Sequence, residues 1–127
     1  IVFYGRLMGD LTEHFSAYEF QCKCGCGERK ISDDLVAKLE IVRQMYGSSI
    51  KITSGYRCLE HNTAIGGSPG SSHIDGEAVD IACSTSGKRD LLVGFLRTQF
   101  TRIGIAKDFI HVDMAKHKAQ NVMWIYT

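Results

Sequence analysis

The sequence predicts an α+β fold in a single domain, a mainly antiparallel sheet flanked by helices. Two segments, 33–46 and from Ser86 to near Gln99, repeat apolar residues at helical spacing. Short β-branched runs at 50–54 and 78–83 alternate or stay apolar, and three more strand-like runs follow one another after residue 101. The resulting order is helices, strand, strand, helix and then three strands, which favours antiparallel neighbours over a repeated strand-helix-strand unit.

Each element has its own local signal. Ser16 and Glu19 stand at capping-box spacing, which predicts one or two helical turns over Phe15 to Phe20. A Cys/Gly-rich tight turn follows. Ser32 then precedes Asp33 and Asp34, two carboxylates suited to the positive end of a helix. Leu35, Val36, Leu39, Val42 and Tyr46 continue on one face until Gly47. Ile50 to Ser54 reads as a strand that delivers Gly55-Tyr56-Arg57 to a loop, and Leu59 to Ile65 forms a short helix ended by Gly66-Gly67. Ser68 to Ser72 is turn-rich and holds the chain's single proline. Ala78 to Cys83 reads as a buried strand, and Ser86 with Leu91, Leu92, Phe95 and Leu96 marks the second long helix. The last strands are 102–105, 109–113 and 122–126, with Ala106-Lys107-Asp108 as the hairpin turn between the first two. No repeat, low-complexity tract or linker interrupts the chain.

At 127 residues the chain is long enough for one real core. Fifteen basic and 14 acidic residues leave a net charge of +1, which gives no basis for binding nucleic acid or an anionic membrane. Residues 1–11 begin with Ile1-Val2-Phe3-Tyr4 but are broken by Gly5, Arg6 and Asp10, too soon for a signal peptide or a membrane span. Five cysteines, Cys22, Cys24, Cys26, Cys58 and Cys83, cannot all pair within one chain, so a disulfide scaffold is not expected. The Cys22-Lys23-Cys24-Gly25-Cys26-Gly27 run resembles a metal knuckle, although its alternate spacing departs from the two-residue gap of zinc ribbons. The run therefore reads first as a tight Gly-rich turn with reduced thiols, where Cys24 or Cys26 meets Cys58 or another thiol in an oxidising setting, and only second as a metal site.

The chemistry concentrates in two stretches, Ser71 to Ile81 and Asp108 to Asp113. His73 and Asp80 are separated by a loop containing Gly76, so both can turn toward one ion, and His111 joins them from a separate strand. Two histidines and one carboxylate form a set that hydrolytic zinc uses, with its fourth position left open for water. Taken singly, each residue has a plainer role as a loop cap, a turn contact or a satisfied sheet histidine. Taken together they point to metal, because a charged or imidazole side chain among apolar strand residues is costly without a partner.

Ile52-Thr53-Ser54-Gly55-Tyr56-Arg57, then Ser71-x-His73-x-x-Gly76-x-Ala78-x-Asp80, then Asp108-x-x-His111-x-Asp113 resemble the LAS-type zinc peptidases. That family contains D-Ala-D-Ala carboxypeptidases, VanX-type dipeptidases and phage L-alanyl-D-glutamate endolysins, and it shares the hedgehog/DD-peptidase fold. The resemblance spans about residues 12–115. It implies one zinc ion held by His73, Asp80 and His111, with Asp108 as general base and Arg57 stabilising the oxyanion; Asp75 and Glu77 do not fit the base position. Chemistry supports the same roles: a carboxylate beside a metal-activated water can take its proton, and an arginine keeps its charge near neutral pH. Asp108 begins a strand three residues before His111, so a backbone turn there would carry its carboxylate over the metal. Asp113 lies two residues beyond His111, on the same side of the strand, as a supporting partner or a rival base. Ser71 is placed to bond substrate or His73, whereas His61 and Asn62 read as polar surface and His14 and His117 carry no pattern.

The expected function is therefore a zinc peptidase acting on peptidoglycan stem peptides, whose D-centres exclude most other proteases. An endolysin cutting between L-Ala and D-Glu is expected first, a D-Ala-D-Ala carboxypeptidase second. A non-catalytic, metal-stabilised phage structural or binding module is the alternative from a different class. The protein is expected to be a monomer, made in the cytoplasm and reaching the cell wall by phage lysis or another export route.

Overall fold

The computed structural model describes residues 9–127, so the apolar start Ile1 to Tyr4 lies outside the described residues. A 3-10 turn, Ala17–Phe20, comes first, and Glu19 reaches back to accept from the Ser16 backbone N–H at 2.8 Å. Helix α1 spans Asp33–Tyr46, with Ser32 Oγ accepting from the Leu35 N–H and Gly47 closing it in a left-handed conformation. Strand β1 is Ile52–Ser54, α2 is Leu59–Ala64, β2 is Ala78–Ala82 and α3 is Ser86–Leu96. Strands β3 (Arg102–Ile105), β4 (Phe109–Asp113) and β5 (Val122–Ile125) complete the fold.

These elements follow the sequence expectation, with α2, β2 and β5 each ending one residue early and three further local differences. Strand β1 starts at Ile52, two residues later than expected, and its register against β2 shifts between Ile52 and Ser54. The α3 cap is Thr85, whose Oγ accepts from the Lys88 N–H, one residue ahead of Ser86. The regular part of α3 ends at Leu96, and looser turns carry the chain on to Phe100, whose N–H still reaches the Leu96 carbonyl at 2.8 Å.

The five strands form one sheet in the order β1-β2-β4-β3-β5, antiparallel except for the β3–β5 pair. Period-two alternation divides each strand between two faces. Val79 and Ile81 of β2 and Ile110 and Val112 of β4 enter the core with Leu35, Leu39 and Val42 of α1 and Leu92 and Leu96 of α3. Each such side chain contributes roughly 1.5–3 kcal/mol by leaving water. Asp80, Phe109, His111 and Asp113 consequently face away from the helices, onto a cleft of about 340 Å³. Register aligns the site: Ser54 pairs with Asp80, Asp80 with His111, His111 with Gly104 and Gly104 with Trp124, one row across all five strands.

Gly104 is required by close approach. A Cβ there would sit 2.6 Å from the Tyr126 ring and 2.7 Å from the Trp124 indole, which cross the strand at that point. Gly104→Ala should therefore cost about 1–3 kcal/mol by overpacking. Urea unfolding would show the loss of stability and tryptophan fluorescence the displacement of Trp124; a variant unchanged in both would mean that the rings shift freely.

Candidate metal centre

Strand alternation brings Asp80 and His111 to the same face as directly opposed neighbours, and the loop before β2 folds His73 over them. His73 Nε2 lies 3.3 Å and His111 Nδ1 3.0 Å from Asp80 Oδ1. All three side chains are at least nine-tenths buried. Donor atoms about 2.0–2.1 Å from a tetrahedral ion stand about 3.3 Å from one another, so this spacing fits zinc. The remaining ring nitrogens also fit. His73 Nδ1 is 2.7 Å from the Gly55 carbonyl, to which it donates, and His111 Nε2 is 2.7 Å from Asp113 Oδ2. Each leaves the opposite nitrogen turned to the shared centre, the orientation a metal ligand needs.

Burial alone would raise the Asp80 pKa, but hydrogen bonds with His111 and His73 outweigh it and hold the carboxyl well below the usual range. Asp113 behaves alike, pulled down against its burial to about 2 by His111, Arg102 and the Ala115 N–H. For His111 burial disfavours the cation, yet Asp113 and Asp80 on either side raise its pKa. The site thus keeps its carboxylates ionised and draws cations.

Arg57 extends the cluster. Its Nε donates to Ser54 Oγ at 3.2 Å, Nη1 to Asn62 Oδ1 at 3.2 Å and Nη2 to Asp80 Oδ2 at 3.4 Å. A guanidinium has five N–H donors, so two remain for a ligand in the cleft. Asn62 corrects the sequence reading: it is buried, not surface, and its Nδ2 donates to the Ser68 carbonyl at 2.9 Å while its oxygen holds Arg57. Short α2 turns Asn62 inward, which periodicity over six residues cannot reveal.

Ser71 lines the cleft, and its Oγ accepts from the His73 N–H at 3.2 Å. Asp113 lies within the cleft, with Oδ1 accepting from Arg102 Nε at 2.6 Å and the Ala115 N–H at 3.1 Å. Asp108 is not brought in. It is exposed in the β3–β4 turn and, among the described residues, its side chain makes no hydrogen bond and does not line the cleft. The regular β4 register explains this: Phe109, His111 and Asp113 take the cleft side, and Asp108 precedes them on the other parity.

Several cleft residues carry no sequence motif. Phe109, Trp124 and Tyr126 build an aromatic wall, with Trp124 5.6 Å from the His111 ring and Arg102 stacked 4.8 Å from the indole. Lys118 lines the cleft while its Nζ donates to the Gly70 carbonyl and Ser72 Oγ at 2.7 and 2.9 Å. His14, by contrast, serves structure, 2.6 Å from Glu40 of α1.

A family model described as Peptidase M15 matches residues 13–113, a span that contains every residue of the metal cluster and Arg57. No curated protein matches the chain in sequence. Among the described residues no helix is long and apolar enough to cross a membrane.

Metal binding requires His111 to give up a proton that Asp80 and Asp113 hold more firmly than water holds it on a free histidine. Competition should therefore begin above the ordinary histidine value of about 6.5. Apparent zinc affinity should fall on acidification from about pH 8 to 6, by up to about tenfold per unit for each proton displaced. Chelator-competition titrations across that range measure it, and a flat affinity would remove His111 from the ligand set.

Proposed function

The chain belongs to the M15 peptidases, a family of zinc-dependent enzymes, and we propose that it hydrolyses peptide bonds in peptidoglycan stem peptides with one zinc at His73, Asp80 and His111. The supporting observation is the convergence of two oriented imidazoles, an ionised carboxylate and a guanidinium on one cleft. When bound, zinc supplies a Lewis acid that brings the pKa of water to about 7. Arg57, anchored on three sides, directs its two remaining N–H groups at the carbonyl oxygen as charge builds there. Asp113 fixes the His111 ring, since its oxygens already accept from three donors. The aromatic wall shields these charges from water and flanks an extended peptide.

Cleavage between L-Ala and D-Glu is the first reading. D-Ala-D-Ala carboxypeptidase activity is the second, favoured by the Lys118 ammonium at the cleft, where a terminal carboxylate would find a cation. Digestion of purified sacculi, with fragments identified by mass spectrometry, decides between them. New L-Ala and D-Glu ends support the endopeptidase, released D-Ala the carboxypeptidase, and intact sacculi with a zinc-loaded protein would overturn both.

Variants divide the roles. Asp80→Ala should lose zinc itself, and with it the stability that binding adds to the folded state. Arg57→Ala should keep zinc and lose about 10²–10³ in turnover. Asp113→Asn should lower zinc affinity or activity about ten- to a hundredfold through the His111 ring. Asp108→Ala should stay within a few-fold of the parent; a loss of roughly two to four orders with zinc retained would make Asp108 the general base.

A further inference from the structure

We propose that Cys22, Cys24, Cys26 and Cys58 hold a second zinc ion as four thiolates, in a closed structural site separate from the His73, Asp80 and His111 cluster. The four sulfurs lie within 4.8 Å of one another although Cys58 is 36 residues from Cys22 in sequence. Cys22 Sγ is 3.5 Å from Cys24 Sγ and 3.7 Å from Cys58 Sγ, and Cys24 Sγ is 3.7 Å from Cys58 Sγ. At an ordinary Zn–S distance of about 2.3 Å, a tetrahedral site spaces its sulfurs by about 3.8 Å. A disulfide would instead single out one pair at about 2.0 Å. Three nearly equal separations with a fourth sulfur beside them describe a shared centre.

The backbone is shaped for that centre. Gly25 and Gly27 have φ of 88° and 81° with open space where a Cβ would lie, so conformation and not crowding requires glycine. The left-handed step at Gly25 falls between Cys24 and Cys26, in a turn where the sulfurs of the alternate residues Cys22, Cys24 and Cys26 come together. Backbone N–H groups of Cys58, His61 and Glu28 are each 3.4 Å from Cys22, Cys58 and Cys26 Sγ respectively. Donors aimed at sulfur favour the thiolate, the form that binds metal. Residues 21–31 contain no regular helix or strand, and Cys24 and Cys26 are exposed, so apolar packing does not explain the convergence. The assignment also settles the odd count, because Cys83 stands apart, buried, near the Thr85 carbonyl.

Its role is to hold the arginine loop. Cys58 directly follows Arg57 and caps α2, while the Tyr56 N–H donates to the Phe20 carbonyl at 2.8 Å. A zinc ion there would tie the cysteine turn to the segment that aims Arg57 at Asp80.

Elemental analysis of the chain purified without chelator should find two zinc ions per molecule, and His73→Ala/His111→Ala should retain one. Cobalt loaded into that double variant should give an intense sulfur-to-cobalt charge-transfer band, which the histidine and aspartate ligands cannot produce. Cys83→Ser should leave the zinc count at two, whereas Cys22→Ser/Cys58→Ser should lower it to one while the histidine site still binds. One zinc in the parent with all four thiols open to alkylation would overturn the proposal. So would a disulfide among them, or iron in place of zinc.

Discussion

The register between β2 and β4 is the constraint on which the site depends. It places Asp80 directly opposite His111, and the same row continues through Gly104 to Trp124 and back to Ser54. Because strand side chains alternate, a slip of one residue would turn His111 into the core and Ile110 into the cleft. The apolar half of each strand prevents that slip. Ile110, Val112, Val79 and Ile81 are fully buried beneath α1 and α3, so the packing that stabilises the fold also holds the metal cluster in register.

The opposite face meets a different requirement. Burying ionised Asp80 is expensive unless its charge is compensated, and here two imidazoles and Arg57 surround it. Those partners are held in turn: His73 by the Gly55 carbonyl, His111 by Asp113, Asp113 by Arg102, and Arg57 by Ser54 and Asn62. Such a network orients donors before a ligand arrives, so little reorganisation is left for the binding step.

Much of this was legible in the sequence because its signals are local. The α1 boundaries follow from Ser32 and Gly47, and His73, Asp80 and His111 stand out by type and spacing, as does the mainly antiparallel sheet. What escaped depends on short elements without a readable period or on long-range pairing. Asn62 bonds Arg57 across the start of α2, a helix too short to show a buried face in its sequence, and Trp124 and Tyr126 reach His111 only because β5 pairs parallel to β3 across a glycine. The Asp108 expectation rested on a turn that would bend its carboxylate back to the metal. The strand instead runs regularly from Phe109, and its parity leaves Asp108 outside.

The cysteine turn shows the same limit from the other direction. Three of its thiols are visible in five letters of sequence, but the fourth lies beyond α1 and β1, so their spacing alone matches no familiar knuckle. Folding supplies the missing ligand at Cys58, the residue next to Arg57. The side chain of that arginine is then fixed by the carboxylate and amide it touches, and its backbone by the cysteine cluster that includes the next residue. Residues 23–30 are all exposed, so between Cys22 and Ile31 hydrophobic packing does not anchor the turn. Cross-linking through metal would provide the rigidity that a short, irregular segment cannot obtain from a core.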